Sequence, residues 1–444
     1  MEKLSPVPGE QKEEIDIQWQ QEPLLHMKGK GGIDLSEVVA AYRDCQRHKR
    51  STKNALKFEY KEAEGCSELC YLINSGLYEP GRSIAFIVKK PVIREVFAAD
   101  FRDRIVHHLI TMKIQPILES LFIQDNYSTR PEKGTLYGIK RVSQMIYQCS
   151  DGYVRDCYVM KVDIKGFFMA IDKQMLYDGI CQMINKYYHQ DDIEQLLWLI
   201  HTVIFNRPEK GCILRSSEKD WEPLPKEKSL RNTDGTHGLP IGNLTSQLFA
   251  LYFLNPLDHI ITEEWQQKLV TPLYYGRYVD DMVFVHQSKQ VLITFYHQVN
   301  EWLLQNKQLL HPKKFYLQHY SKGVLFVGGM ILPGRVYVGH RTLANFVNTI
   351  MRFNKMAENE PSLVLENIEQ FRATVNSYLG ILGHMAAYNV THRIIRRIHS
   401  EWYKYMYIES KKGKMKVVVK KQYLKRYRLM KKEVETPLST YYTT

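Results

Sequence analysis

Three aspartates at the ends of apolar segments are the residues of this 444-residue chain whose types and spacing best suit metal chemistry. Asp163 follows the apolar segment YVMKV, and the adjacent Asp280 and Asp281 lie between two further apolar segments more than a hundred residues later. Carboxylate oxygens are the ligands that hard divalent cations prefer. The three carboxylates predict a site for two Mg²⁺ ions, which Mn²⁺ can replace. By itself, an Asp-Asp pair is more typical of an ordinary hairpin turn.

The residues around the aspartates predict the elements that must position them. YVMKVD is typical of a buried strand that ends at Asp163. LYYGRYVDDMVFVHQ alternates around the aspartate pair and predicts strand, tight turn, strand, with Asp280 and Asp281 near the bend. Apolar residues three and four apart predict helices over much of the remaining chain, including a helical, basic remainder from about Thr342. The fold class is therefore α+β.

Composition limits the class of protein further. The length predicts two or three domains, and 44% apolar with 25% charged residues excludes a collagen-like or mainly disordered chain. No apolar segment approaches 18 residues and the N-terminus has no apolar signal core, so we expect a cytoplasmic protein without a membrane partner. Seven cysteines without a C-x-x-C pair predict neither a disulfide framework nor structural zinc.

Positive charge is concentrated at the C-terminus. The net charge is +13, and residues 391–444 hold 15 Lys or Arg and 4 Asp or Glu, which gives this segment a net charge of +11. Nucleic acid is the commonest acidic partner of such a segment, and Trp402 and nearby tyrosines suit stacking on bases. A solvated basic face or a disordered tail is the alternative interpretation.

Several blocks, in order along about residues 85–332, resemble the successive motifs of reverse transcriptases. They are RDRIVHHLI at 102–110, NYSTRPEKGT at 126–135, DIKGFF at 163–168, GLPIGNLTSQLFALYFLNPLD at 238–258, YVDD at 278–281, LHPKKF at 310–315 and VLFVGGMI at 324–331. The resemblance implies a right-hand polymerase fold with fingers, a palm whose antiparallel sheet carries the aspartates, and a helical thumb. The implied divisions are a flexible lead-in at 1–33, N-terminal helices and fingers at 34–155, a palm at 156–340 that contains a fingers helix and loop at 173–245, and a basic helical thumb and tail at 341–444.

The resemblance also implies an activity and roles for the aspartates. The chain would be an RNA-directed DNA polymerase that takes dNTPs, a template RNA and the RNA:DNA duplex. Asp163, Asp280 and Asp281 resemble the metal ligands and catalytic carboxylates of the family, joined by the carbonyl of Ile164. Phe168 resembles the steric gate that excludes a 2′-hydroxyl, although a phenylalanine beside a buried strand is also typical of plain core packing.

Further residues resemble the nucleotide pocket of the family. Lys90 and Arg94 match the fingers cations that hold the triphosphate, and Arg130 matches a contact to template or phosphate, with a solvated loop cation as the alternative. Lys313 or Lys314 would supply a proton to pyrophosphate, unless the pair is only a basic surface. The wall of the pocket would be formed by Ile241, Gly242 and Asn243.

Within the superfamily, the chain most resembles the enzymes of bacterial diversity-generating retroelements. Ile241 stands where group II intron and retroviral enzymes carry glutamine, and Ser246-Gln247 replaces their Ser-Pro. Loss of a polar contact at Ile241 favours misincorporation. The resemblance implies errors concentrated at template adenines, mutagenic retrohoming, a bacterial or phage origin and a small helical accessory protein oligomer as partner.

Two alternatives remain at this point. One is a phage-defence, retron or group II intron-like reverse transcriptase, and the other is a catalytically idle RNA-binding scaffold. In all but the idle case the basic thumb would grip an RNA:DNA duplex. Its candidate contacts are Arg393, Arg396, Arg397, Lys404, Lys420 and Lys421.

Overall fold

The computed structural model describes residues 31–47, 52–89, 92–411 and 413–423. The α-helices are α1 Leu35–Gln46, α2 Lys53–Tyr60, α3 Glu62–Asn74, α4 Phe101–Leu121, α5 Thr135–Cys149, α6 Phe167–Ala170, α7 Lys173–Tyr187, α8 Ile193–Phe205, α9 Leu244–Phe253, α10 Asn255–His259, α11 Lys289–Gln305, α12 His340–Asn359, α13 Leu363–Glu366, α14 Ile368–Leu382, α15 Tyr388–Ile395 and α16 Ser400–Tyr405. The strands are β1 Ile84–Val88, β2 Arg94–Ala98, β3 Tyr158–Val162, β4 Ile213–Leu214, β5 Tyr274–Tyr278, β6 Asp281–His286, β7 Tyr316–His319, β8 Val324–Phe326, β9 Gly329–Leu332, β10 Arg335–Val338, β11 Met406–Lys411 and β12 Lys414–Val419. None of the described helices has the length and apolarity needed to cross a bilayer.

The chain divides into two compact units. The first unit runs to Ile117 and resumes over Asp172–Gln247, and the second comprises Leu118–Ile171 and the chain from Leu248 onward. The division into fingers, palm and thumb stays a prediction, and the segment 173–245 falls in the same unit as the N-terminal helices. Residues 118–155 lie in the second unit. The reason is that α5 turns its apolar face toward β5 and β6 of that unit.

The first unit is built from helices and a small three-stranded sheet. Helix α1 begins after Asp34, which forms a capping box with Glu37 and so satisfies backbone N–H groups of the first turn. The rings of Tyr42, Phe58 and Phe101 form an aromatic cluster with centroids 5.3 to 6.2 Å apart. The sheet has the order β2-β1-β4, with β1 antiparallel to β2 and parallel to β4.

A buried carboxylate on β2 holds the long segment between α8 and α9. Glu95 is 1% exposed. Its Oε1 accepts hydrogen bonds from Trp221 Nε1 at 2.7 Å and Ser229 Oγ at 2.9 Å, and its Oε2 accepts one from the Leu230 backbone N–H at 2.6 Å. Donors of this kind satisfy a buried carboxylate, so the irregular segment is fixed by polar contacts that converge on one side chain.

The second unit contains a four-stranded antiparallel sheet with the order β5-β6-β3-β7. Helix α5 covers one face, because its residues Ile139, Val142, Met145 and Ile146 recur at helical spacing and are buried. They form a core with apolar residues of β3, β6, β8 and β9. A separate antiparallel sheet of order β10-β9-β8 follows in the chain. The sheet that ends in the aspartates is therefore rigidly backed.

The described C-terminal segment is not wholly helical, which corrects one expectation. Helices α12 to α16 are followed by an antiparallel hairpin of β11 and β12, in which Met406 pairs with Val419. The β-branched run Val417–Val419 and the turn at Gly413, where φ is +75°, favour this hairpin. The hairpin is held to α14 by Asn376, whose Oδ1 accepts from the Val417 N–H at 2.7 Å and whose Nδ2 donates to the Val417 carbonyl at 3.0 Å.

Replacement of Glu95 tests the polar anchor of the first unit. Glu95→Ala leaves three buried donors unpaired, and since each unpaired group costs about 1–3 kcal/mol, we expect the free energy of unfolding to fall by about 3 kcal/mol or more. Urea unfolding measures the loss. The exposed Glu222→Ala in the same segment is the control and should change stability by less than about 0.5 kcal/mol. Equal effects of the two substitutions would contradict the anchor.

Candidate active site

The ends of β3 and β6 bring the predicted aspartates together. β3 pairs antiparallel with β6, with Val162 opposite Met282. Continuation of this register by one residue places Asp163 opposite Asp281, the first residue of β6. Asp280 precedes it in a two-residue connection, because Tyr278 of β5 pairs with Asp281. Two neighbouring strands and one tight turn thus collect three carboxylates at one edge of the sheet.

A hydrogen bond from a buried arginine supports the turn that carries Asp280. Val279 has a φ of +57°, a left-handed conformation that β-branched residues rarely adopt. Its carbonyl accepts a hydrogen bond from Arg277 Nη1 at 2.8 Å. The side chains of Arg277 and its ion-pair partner Asp258 are both 0% exposed. A buried arginine therefore contacts the strained residue beside the aspartates.

The electrostatics of the site reflect the crowding of negative charge. Burial, together with the neighbouring carboxylates of Asp163 and Asp281, raises the pKa of Asp280 to about 7. Burial and Asp163 raise the pKa of Asp281 to about 6, although Lys161 and Lys314 oppose this shift. Asp163 itself is 8% exposed. The carboxylate of Asp163 is thus close enough to disfavour the charged forms of Asp280 and Asp281.

Two lysines face this negative charge. Lys314 Nζ lies 2.6 Å from Asp163 Oδ2. Lys161, on β3, donates to the Leu325 carbonyl and lies over the ring of Tyr316. Burial lowers the pKa of Lys161, while the carboxylates of Asp281 and Asp163 act in the opposite direction. Each lysine thus partly offsets the repulsion among the aspartates.

The segment LHPKKF is fixed to the end of β3, which explains why one lysine of its pair reaches the site. The His311 N–H donates to the Asp163 carbonyl at 2.8 Å, and the Lys165 N–H donates to the Leu309 carbonyl at 2.8 Å. Lys314 then folds back onto Asp163. Lys313 is exposed, and its backbone N–H donates to His311 Nδ1 at 3.2 Å. The structure places Lys314, rather than Lys313, against an aspartate.

Phe168 lies just beyond Asp163 on α6. The chain turns from β3 into α6 at Gly166, whose φ of +60° is readily adopted only without a Cβ. Phe167 is 2% exposed, whereas Phe168 is half-buried, with the two ring centroids 5.7 Å apart. One ring of the pair therefore packs in the core and the other keeps an exposed portion.

Ile241 and Gly242 are fixed by β2 within the first unit. The Phe97 N–H donates to the Ile241 carbonyl at 2.9 Å. Gly242 has a φ of +126°, and a Cβ there would lie 2.7 Å from the Phe97 carbonyl oxygen, so a side chain is excluded. Asn243 is 6% exposed, and its Oδ1 has no hydrogen-bond partner among the described residues. Gln247 is exposed.

The expected phosphate-binding cations have different environments. Lys90 lies outside the described residues. Arg94 is exposed at the start of β2. Arg130 instead has a side chain only 5% exposed, paired with Glu119 at 2.9 Å and donating to the Ile123 carbonyl at 2.7 Å. The guanidinium of Arg130 is therefore paired inside the fold rather than solvated, and its contact with template or phosphate stays a prediction.

The family model for reverse transcriptase (RNA-dependent DNA polymerase) matches residues 88–331, more than half of the chain. The chain belongs to the reverse transcriptase family. Protein YkfC of Escherichia coli (strain K12) is 21% identical over 305 residues, which cover 62% of this chain and 72% of YkfC. A structure of apo telomerase from Candida tropicalis, truncated from its C-terminal domain, is similar with 12% identity and a TM-score of 0.41. That similarity covers 58% of this chain and 55% of the telomerase chain.

The sheet of this reverse transcriptase that ends in the aspartates is the palm, and the α+β right-hand fold is confirmed. In the described part of the chain, no group of three or more His, Cys, Asp or Glu side chains forms a ready metal cage. The donors nevertheless fit divalent ions, because carboxylate oxygens are their preferred ligands and because a cation would offset both the burial and the neighbouring negative charge that raise the pKa values of Asp280 and Asp281.

The basic C-terminal residues of the reverse transcriptase fall into two groups. Arg393, Arg396, Arg397 and Lys421 are exposed. Lys404 is exposed but pairs with Glu401 at 2.8 Å, and Lys420 Nζ donates to the carbonyls of Tyr403 and Lys404. Trp402, which we expected to suit base stacking, is instead 0% exposed and stacks on Phe371 with centroids 4.0 Å apart.

Sequence reasoning missed four residues of the palm and the first unit that make buried contacts or lie beside the aspartates. Lys161 was hidden within an apolar strand, and Glu95 within the alternating pattern of β2. Asp258 ends the block at 238–258 and Arg277 directly precedes YVDD, but nothing in their spacing of 19 residues indicates that they pair. A charged residue between apolar neighbours was the available signal for Lys161, which lies between Met160 and Val162.

The pKa values predict how metal binding depends on pH. The pKa of the Asp280 carboxyl is raised from 3.8 to about 7 in the folded metal-free protein. The contribution of this carboxyl to folding stability is therefore fully present below pH 4 and is lost as the pH rises toward 7. A bound cation stabilises the charged form instead. We therefore expect Mg²⁺ to raise the melting temperature more at pH 8 than at pH 5, measured by thermal unfolding with and without the ion.

A control for this measurement is Asp280→Asn, which removes the group with the higher of the two raised pKa values. In this variant the difference between the Mg²⁺ effects at pH 8 and pH 5 should shrink. An equal Mg²⁺ effect at the two pH values in the unaltered protein would contradict the link between the aspartates and the ion.

Proposed function

We propose that the chain copies an RNA template into DNA by nucleotidyl transfer at the palm aspartates, with two divalent ions. The observation that carries this proposal is the collection of Asp163, Asp280 and Asp281 at one edge of the sheet, with the pKa values of Asp280 and Asp281 raised by burial and by the neighbouring carboxylates. Decayed polymerases would be expected to lose this arrangement. The complete trio therefore favours an active enzyme over an idle scaffold.

The residues of the proposed site would have separate roles in metal binding and proton supply. Asp163, Asp280 and Asp281, with the carbonyl of Ile164, would hold the ions. Bound there, divalent ions supply charge stabilisation for the attacking primer hydroxyl and the departing pyrophosphate. Lys314, whose Nζ lies 2.6 Å from Asp163 Oδ2, would supply a proton to the departing pyrophosphate, and Lys313 stands next to it at the exposed surface.

Selection of deoxynucleotides is assigned to Phe168. Its half-buried ring follows Asp163 by five residues and is held by contact with Phe167. A rigid ring at this point would exclude a 2′-hydroxyl by steric contact. The exposed guanidinium of Arg94, together with Lys90, would bind the triphosphate of the incoming dNTP.

We further assign the enzyme to the diversity-generating type, with errors at template adenines that serve mutagenic retrohoming. The support is Ile241, which has an apolar side chain and a backbone fixed to Phe97, followed by Gly242, whose conformation excludes a side chain. Neither of these two residues offers a side-chain hydrogen bond to a base. Gln247 is assigned to fidelity together with Ile241, and we call residues 241–247 the fidelity segment. A defence-type, retron or group II intron-like enzyme would be expected to copy accurately.

The proposed partners are the RNA:DNA duplex and a small helical accessory protein. Arg393, Arg396 and Arg397 are exposed together at the end of α15, where they suit contacts with phosphates. Lys421 is also exposed, whereas Lys404 is paired with Glu401 and Lys420 is engaged with backbone carbonyls. The accessory protein rests on the family resemblance alone.

Primer extension on an RNA template with Mg²⁺ and dNTPs tests the activity. Loss of one group that stabilises transition-state charge costs about 10²–10³ in kcat, so we expect Asp280→Ala to reduce DNA synthesis by at least about a hundredfold. The control is Asp156→Ala, an exposed aspartate near the opposite end of β3, which should leave synthesis unchanged. Appreciable synthesis by a folded Asp280→Ala variant would exclude the assigned metal site.

Sequencing of the products tests the fidelity assignment. A glutamine at position 241 restores one hydrogen bond of about 1 kcal/mol, so Ile241→Gln should lower misincorporation opposite adenine about fivefold. The matched control Ile213→Gln, on an exposed strand position of the same unit, should leave the error spectrum unchanged. An unaltered spectrum in Ile241→Gln would remove Ile241 from the fidelity segment.

A further inference from the structure

The guanidinium of Arg277 is enclosed by acceptors from three different elements. Its Nε donates to Asp258 Oδ1 at 2.8 Å, and its Nη2 donates to Asp258 Oδ2 and to the Leu251 carbonyl, the latter at 3.1 Å. Its Nη1 donates to the Val279 carbonyl at 2.8 Å. Since the side chain is 0% exposed, water cannot replace any of these contacts.

Asp258, on α10, is fixed as firmly as its partner. It is 0% exposed, and its Oδ1 also accepts a hydrogen bond from the Tyr275 hydroxyl at 2.7 Å. The carboxylate thus receives donors from two residues of β5. Its position determines where the guanidinium can lie.

The backbone of Arg277 is held independently of the side chain. Its N–H donates to the Asp125 carbonyl at 2.8 Å, and its carbonyl accepts from the Tyr127 N–H at 2.9 Å. Both ends of the arginine are therefore immobile, and the contact to Val279 transmits that rigidity to the turn. Val279 needs such support, because its φ of +57° is unfavourable for a β-branched residue.

We propose that Arg277 is a positioning residue whose hydrogen bond to the Val279 carbonyl fixes Asp280 in the orientation that binds a divalent ion. Asp258 acts through Arg277. The inference rests on the proposed function for its relevance to catalysis. Its own readout is cation affinity, which does not require DNA synthesis.

Calorimetric titration of the purified chain with Mn²⁺ measures the effect directly. Lysine keeps the charge of Arg277 but cannot bond Asp258 and the Val279 carbonyl with one planar fork. Loss of a partner that orients a metal ligand costs about 10–100-fold in affinity, so Arg277→Lys should weaken Mn²⁺ binding at least about tenfold. Arg372→Lys, at an ion pair with Glu369 on α14, is the matched control and should bind as the unaltered chain does.

A second substitution separates positioning from plain stability. Glycine adopts a positive φ without steric penalty, so the turn of Val279→Gly needs no brace. Added to Arg277→Lys, Val279→Gly should recover at least half of the lost affinity on a logarithmic scale. Should Arg277→Lys fail to fold, the apolar pair Arg277→Met with Asp258→Leu removes the brace while avoiding an unpaired buried charge, and it should likewise bind Mn²⁺ weakly.

The outcomes distinguish this inference from the proposed function. Folded variants that bind Mn²⁺ as tightly as the unaltered chain would show that Arg277 only stabilises the palm. Weakened binding that Val279→Gly does not recover would exclude an effect of Arg277 through the Val279 turn. No Mn²⁺ binding by the unaltered chain would also overturn the inference. Weakened binding with recovery, in a chain that makes no DNA, would uphold the inference and overturn the proposed function.

Discussion

The ion pair of Arg277 and Asp258 lies entirely out of water, and the edge of the sheet that carries the aspartates depends on it. Transfer of two charges into a protein interior is unfavourable unless their hydrogen bonds are complete, and loss of one partner costs about 3–5 kcal/mol. That is a large part of the 5–15 kcal/mol by which a typical domain is stable. The contacts around the guanidinium must therefore be complete for the palm to be stable.

The same edge concentrates repulsion, which a compliant fold would relieve by moving the strands apart. The sheet resists because Asp163 and Asp281 face each other across a continuous antiparallel register and because α5 backs the strands. Lys314 and Lys161 reduce the repulsion without removing it, as the raised pKa values of Asp280 and Asp281 show. Rigidity and partial neutralisation together keep a cation site available.

The aspartates and their strands were predictable because the relevant information is local. An alternating pattern around a two-residue connection fixes both the turn and the face of each side chain, and the family motifs supplied the pairing with Asp163. The choice between Lys313 and Lys314 was not predictable, since it depends on the bridge from His311 to the Asp163 carbonyl. Glu95, Arg130 and Trp402 were likewise beyond local patterns. Glu95 and Trp402 are internal because of partners far away in the chain, and Arg130 is internal because its loop folds its guanidinium onto nearby carbonyls and Glu119.

The palm sheet is assembled from strands that are far apart in the chain. Val162 pairs with Met282, so β3 leaves the ribosome about 120 residues before the strand that covers its edge. At the usual rate of synthesis this is a delay of roughly ten seconds. During that interval Asp172–Gln247 emerges and joins residues already made to complete the first unit. The residues of the first unit are thus all synthesised while β3 still lacks the strand that pairs with it. During this interval the nascent chain is most exposed to aggregation.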